Sequence, residues 1–306
     1  MKIHNKKGLE FSFTWLFAVI IGATILILAI YAATKLIGTS ETQTSTATAK
    51  EIGVLLNPLE TSFEDSTSTS FSINTETRIY NICDNSSNFG SQGIQTAQKS
   101  FGKWSGAGIK VSFQNKYIFS NGIEEGKKFY VFSKPFDFPF KTADLIYLSS
   151  AKKIYCFTGM PDEIEEELTE LKQGNFFVGN CSSLDAVKVC PEVGCDIRVR
   201  YGQGYVEKNG TKLYFETDAL MYGAIFSDKR TYECQVQRLM QRAETLSRIY
   251  ERKAGLLEQK GCSSNIDLGT YEALLGNYEN SLGLGSLLIK SNELKQGNDR
   301  SPCGLW

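Results

Sequence analysis

Histidine is all but missing from this chain: His4 is the single one in 306 residues. Ser-His-Asp chemistry, histidine general bases and multi-histidine metal centres are thereby excluded. Long basic runs are missing as well, and the formal net charge is −1. No nucleic acid partner is expected, because such binding rests on neutralising many phosphates. With six prolines and no repeat at periods of about 20–50 residues, collagen-like and solenoid or propeller architectures drop out. No C-x-x-C pair occurs, which weakens zinc and redox readings. Glu165, Glu166, Glu167 and Glu170 do not sit in a loop of alternating oxygen ligands, so they read as a solvated helix face. Gly202-Gln203-Gly204 lacks the third glycine of a phosphate loop. No cofactor and no bound metal are expected.

What the chain does have is one long apolar run. Phe11 to Ala33 is free of charge, and at 1.5 Å per residue it is long enough to cross a hydrocarbon core of about 30 Å. The bilayer is therefore the first expected partner. A cleaved secretory signal would have an apolar core of only about 7–15 residues. Lys2, Lys6 and Lys7 precede the run and Lys35 follows it, so the positive-inside rule places the N-terminus in the cytoplasm and everything after about Ile37 outside.

Lys7-Gly8-Leu9-Glu10, a short basic leader followed directly by this helix, resembles the leaders of type IV pilin-like proteins, including archaeal class III signals and TadE-like minor pilins. The resemblance implies that a membrane peptidase cuts between Gly8 and Leu9 and that the exposed helix packs into a filament core. Bacterial pilins carry an acidic residue fifth after the cut, whereas Glu10 would be second. The competing reading is an uncleaved signal anchor with Lys6, Lys7 and Glu10 at the interface. Ala18/Gly22 and Ala29/Ala33 have the small-xxx-small spacing of closely approaching helices.

Beyond the leader (1–10) and the transmembrane helix (11–37), residues 38–65 read as a stalk: 38–50 is rich in Thr and Ser, a polar spacer or the frayed extension of the membrane helix, and Glu51 to Leu59 is a short amphipathic stretch interrupted by Pro58. An α/β ectodomain with a mixed sheet is expected over 66–217, and a helical hairpin with a tail over 218–306. Ile73 to Asn81, Ile109 to Phe113 and Tyr117 to Phe119 alternate like strands. Phe129 to Phe132 is apolar on both faces, which predicts a central strand. The phenylalanines of Pro135 to Phe140 read as core. Lys153 to Thr158, a helix opening at Pro161, and Phe176 to Val178 have the punctuation of a βαβ unit with parallel strands. Asp196 to Tyr201 and Thr211 to Glu216 flank Asn209-Gly210, a dipeptide suited to a type I′ hairpin. Asp228 to Lys260 reads as one long helix. A second is predicted from Leu268, Tyr271, Leu275, Tyr278 and Leu282, which step by three and four, and the two would form an antiparallel hairpin. Gly283 and Gly285 then lead into a short helix from Ser286 to Lys295.

The eight cysteines, Cys83, Cys156, Cys181, Cys190, Cys195, Cys234, Cys262 and Cys303, all follow the apolar run. An even number outside the membrane points to disulfides. Cys234 and Cys262 flank the long helix and would lie about 40 Å apart, too far to bridge. Cys190 with Cys195, and Cys262 with Cys303, are the pairings expected. A zinc site on Cys181, Cys190 and Cys195 is the competing reading. Ser149-x-x-Lys152, Ser150-x-x-Lys153 and Ser100-x-x-Lys103 match a serine-lysine spacing without its partner motifs. Asn85, Asn180 and Asn209 open N-glycosylation patterns.

The stretches Phe136 to Tyr147 and Tyr232 to Asn265 resemble uncharacterised single-pass membrane proteins of small archaeal genomes. That resemblance implies an archaeal envelope setting and carries no catalytic residues across. The expectation is a membrane-anchored structural or interaction protein of the cell envelope, pilin-like if the leader is cut, which self-associates or binds an envelope protein and is not an enzyme. The alternatives are an ectoenzyme acting on envelope polymers through carboxylates and an ectodomain that binds a small ligand.

Overall fold

The structure, a computed structural model, describes residues 13–60, 67–86, 89–181 and 185–306. Gly8 and Leu9, with the rest of the leader, lie outside the described residues. Phe13–Leu55 forms one uninterrupted helix, α1, roughly 65 Å long at the usual rise. It therefore runs through the Thr-rich stretch that reads as a stalk. Thr34, Thr39, Thr42, Thr44, Thr46 and Thr48 each return the hydroxyl to a carbonyl three or four residues back, at 2.7–3.0 Å. These hydroxyls are satisfied inside the helix, so they do not pull the backbone into turns. The first half of α1 is apolar and exposed; it is a helix long and apolar enough to cross a membrane. The second half carries a buried stripe of Ser45, Ala49, Ile52 and Gly53, continued by Leu56 and Leu59.

Among the described residues the strands form two sheets. The first contains β1 (Thr67–Asp84), β2 (Ser91–Ser100), β3 (Lys103–Trp104), β4 (Val111–Phe113), β5 (Tyr117–Phe119), β6 (Ile123–Asp137) and β7 (Lys141–Ser150). Their order is β3-β2-β1-β6-β7-β5, with β4 also on β2. The second contains β8 (Tyr155–Phe157), β9 (Phe176–Val178), β10 (Val187–Cys190), β11 (Ile197–Arg200), β12 (Tyr205–Lys208) and β13 (Thr211–Tyr214), in the order β13-β12-β11-β10-β8-β9. β8 and β9 are parallel and joined by α2 (Asp162–Glu170), so the βαβ unit is present. Asn209 and Gly210 have φ of 49° and 70° and close a tight hairpin. Its strands are β12 and β13, however; Ile197–Arg200 pairs on the other side of β12, because the 3-10 turn at Tyr201–Gln203 separates the two.

The first sheet is covered on both faces, and the residues of its central strands divide accordingly. Phe129 and Val131 of β6, Ile146 and Leu148 of β7, and Ile118 of β5 pack under α1 with Ala49, Ile52, Leu56 and Leu59. Phe132, Leu145, Tyr147, Tyr117 and Phe119 point the other way, into a larger core. Phe136, Phe138 and Phe140 are buried as well. That larger core is closed by the second sheet, by α3 (Asp218–Phe226) and by α4 (Lys229–Gln259). α3 is buried along its whole length after Asp218, which is why it has no polar face to read in the sequence. Phe226 stacks on Phe176 and meets Tyr155 and Phe132 edge-on.

The second helix predicted for the C-terminal hairpin is shorter than expected, although it packs on α4. α5 covers only Gly269–Gly276, and α6 runs from Leu284 to Arg300, longer than the short helix expected. Leu268, Tyr271 and Leu275 are buried, whereas Leu282 is 67% exposed. The seam stops because Glu233 of α4 accepts hydrogen bonds from the Ser281 N–H and hydroxyl at 2.9 and 2.7 Å, and Asn280 caps the turn that follows. The chain is drawn back to α4 there instead of continuing its helix.

The approach of α1 to the sheet is close. A Cβ on Gly53 would overlap the Phe113 ring, and one on Gly108 would lie 2.7 Å from the Thr46 nitrogen. Gly53→Val is therefore expected to lower the unfolding free energy by about 1–3 kcal/mol through overpacking. Phe113→Ala in the same chain should recover part of that loss. Urea unfolding of both variants, compared as a double-mutant cycle, checks this.

Candidate functional site

The eight cysteines lie in four bonded pairs with Cα atoms 5.8–6.1 Å apart: Cys83–Cys234, Cys156–Cys181, Cys190–Cys195 and Cys262–Cys303. The two pairings named from the sequence are among them. The zinc reading is overturned, because Cys181 is bonded to Cys156 and the other two to each other, and no group able to hold a metal occurs among the described residues. Cys83–Cys234 ties β1 to α4, a contact across 151 residues that spacing does not reveal.

A buried polar network lies beside that bond. Arg238 of α4 is fully buried. It donates to the carbonyls of Phe89, Lys116 and Gln114 at 2.9–3.3 Å and to Gln235 Oε1 at 2.7 Å, with its guanidinium 4.6 Å over the Tyr117 ring. Gln235 donates to Gln92 and to the Ile118 carbonyl. Gln92 donates to Asn81, which in turn reaches the Ile118 carbonyl and Ser120. The polar look of the Ser91–Ser100 segment is explained here: Gln92 and Thr96 are buried, and each is satisfied by a partner.

At the start of α4 two cavities, of about 400 and about 310 Å³, share Asp228 as a wall. Asp228 caps the helix by accepting from Thr231 N at 2.8 Å, and its other oxygen accepts from Gly122 N at 2.6 Å. The smaller cavity brings together Lys153, Lys208, Lys229, Asp196 and Asn121. Lys208 donates to the carbonyls of Ile225 and Ser227, where α3 ends, so its charge complements the negative end of that helix. Burial and then the neighbouring Lys153 push its pKa down to about 7, against the pull of Asp228. Near Lys153, Glu124 is buried and accepts from Asn121 at 2.7 Å and from Ser150 N at 3.0 Å; burial raises its pKa. Chemically, the site offers a desolvated amine among compensating carboxylates. Its hydrogens are engaged with backbone, which suits closing a helix end.

A second carboxylate group lies at Glu167 and Asp218. Glu167 accepts from Lys134 at 2.5 Å and from Tyr222 at 2.9 Å. Asp218 is raised by burial, opposed by Lys134 and reinforced by the like charges of Glu167 and Glu163. Neither lines the cavities described above. The spacings at Ser149 and Ser150 are not brought together as dyads: Ser150 donates to the Glu125 carbonyl, Ser149 accepts from Asn175, and Lys152 pairs with Glu76, while Ser100 and Lys103 are cross-strand register partners of β2 and β3. Of the glycosylation patterns, Asn180 and Asn209 are exposed and Asn85 bonds Gln237; Ser87 and Ser182 lie outside the described residues.

No protein-family model, curated protein or solved structure matches the chain.

Two outcomes are expected. Arg238→Met should destabilise the protein by about 3 kcal/mol or more, because at least two buried carbonyls lose their donors; urea unfolding measures it. For Lys208, a folded pKa below the ordinary 10.5 means that the unfolded chain binds the proton more tightly. Stability should therefore rise with pH between about 7 and 10.5, by up to about 1.4 kcal/mol per pH unit. Lys208→Met should flatten that rise in thermal unfolding followed across the window.

Proposed function

We propose that this protein is a membrane-anchored, extracytoplasmic structural subunit of the cell envelope, pilin-like in build, whose anchor helix doubles as its assembly element. The observation that carries the reading is the continuity of α1 from its exposed apolar half into its buried half. A binding module on a tether needs no such rigidity. A subunit that stacks by its helix does, because the head must keep one orientation relative to the rod. Ala18/Gly22 and Ala29/Ala33 on the exposed half are suited to close helix packing. Four disulfides suit an oxidising compartment, and the lysines flanking the apolar run favour a cytoplasmic N-terminus. The resemblance of Lys7-Gly8-Leu9-Glu10 to pilin-type leaders supports the same assignment.

The intact mass of the protein from its native membranes, before and after reduction and alkylation, tests this together with the sequence of its N-terminal peptide. A chain beginning at Leu9 with all thiols oxidised is expected, and Gly8→Val should block the cut. A chain beginning at Met1 would remove the pilin-like part of the reading, and free thiols would remove the outward topology.

A further inference from the structure

The β2–β3 hairpin ends in a two-residue turn, Phe101-Gly102, with Lys99 opposite Trp104 and Ser100 opposite Lys103. Both turn residues have positive φ, 47° and 77°. Glycine adopts this freely, but a bulky aromatic at the first position is strained, and asparagine or aspartate is the usual occupant. The Phe101 side chain is fully exposed, at 104%. A single exposed phenylalanine is ordinary surface; its location relative to α1 is what makes this one informative.

β2 runs antiparallel to the seated half of α1. Phe113, the register partner of Gln92, touches Gly53. Thr96 then donates to the Ser45 carbonyl at 2.7 Å. Farther along, Lys99, Ser100 and Ser105 face Ser40, Glu41 and Thr44 across a cavity of about 240 Å³. The strand is heading down the helix toward its apolar half, and Phe101 is the next residue. Leu36 and Ile37, the last members of that half, are 72% and 58% exposed. Ser40 lies about 4.5 Å above Ile37 along the axis, within a headgroup layer about 5–8 Å thick. The rest of the tip has the composition of an interface anchor. Arg78 lies 4.1 Å over the Trp104 ring and Lys99 5.6 Å from its centre, while Lys103 is exposed.

We propose that the Phe101-Gly102 turn is a second membrane contact, which inserts Phe101 among the lipid headgroups beside the point where α1 leaves the bilayer. This rests on the reading of α1 as a membrane anchor. The contact holds the ectodomain against the surface at a fixed tilt, since the helix and the turn are two attachment points on one rigid body. The strain at Phe101 is retained because the conformation aims the ring away from the protein.

The test uses the full chain in phosphatidylcholine vesicles whose acyl chains are brominated either near the carboxyl end or near the middle. Three single-tryptophan chains are compared: Phe101→Trp with Trp15, Trp104 and Trp306 all replaced by Phe, one that keeps only Trp15, and one that keeps only Trp104 with Phe101 intact. Intact mass showing four disulfides reports that each has folded. The expected result is that Trp15 loses emission to bromine, and that position 101 loses it more to the shallow label than to the deep one, with a blue shift on vesicle addition. Trp104 should show the same shallow preference more weakly. Quenching of Trp15 with none at position 101 or at Trp104 would overturn the proposal and leave the anchor standing. Absence of quenching at Trp15 would overturn the anchor, and the proposal with it.

Discussion

The burial of one side of α1 against the first sheet is the contact on which the remaining architecture depends. It requires close backbone approach at Gly53 and Gly108, and it sets aside one face of β5, β6 and β7 for the helix. The opposite face of the same strands is then free to build the larger core with α3, α4 and the second sheet. Because a sheet covered on both faces needs apolar residues at successive positions, Phe129–Phe132 and Leu145–Leu148 are nearly continuous hydrophobic runs. Loosening α1 would expose one of these faces and remove the support of a rod that lies outside the fold for half its length.

Against this apolar scaffold β2 and β5, which lie toward opposite edges of the first sheet, are joined by polar chemistry. Arg238, Gln235, Gln92 and Asn81 form a chain of buried hydrogen bonds whose acceptors include the carbonyls of Gln114, Lys116 and Ile118. Such a network stabilises only when every member is satisfied. The adjacent Cys83–Cys234 bond keeps α4 in the position from which Arg238 can reach three separate carbonyls.

Much of the fold is legible in the sequence where side-chain pattern and local chemistry agree. The long α4, the central Phe129–Phe132 strand, the βαβ unit at 155–178 and the Asn209-Gly210 turn all belong to this class. The exceptions have physical causes. The Thr-rich half of α1 looks like a linker because hydroxyl-to-carbonyl bonding within a helix leaves no mark on composition. β2 leaves no apolar alternation in the sequence because several of its buried positions are amides and hydroxyls whose partners, such as Gln235 and Ser45, lie far away in the chain. The run from Leu268 to Leu282 keeps a helical seam past the point where Glu233 pulls the backbone toward α4. Of the candidate site, the cysteines and the apolar run are visible in the sequence, whereas the grouping of Lys153, Lys208 and Asp228 at the start of α4 depends on distant loops meeting.

The Cys83–Cys234 bond also has a topological meaning. It closes a covalent ring over 151 residues, within which Cys156–Cys181 and Cys190–Cys195 form smaller rings, while Cys262–Cys303 closes another over the tail. A protease that cuts once anywhere between Cys83 and Cys234 opens a ring but severs nothing: both new ends remain joined through sulfur. Separating the folded domain from the apolar half of α1 by a single cut therefore requires cleavage before Cys83, on the N-terminal side that includes the buried stripe of α1 and most of β1.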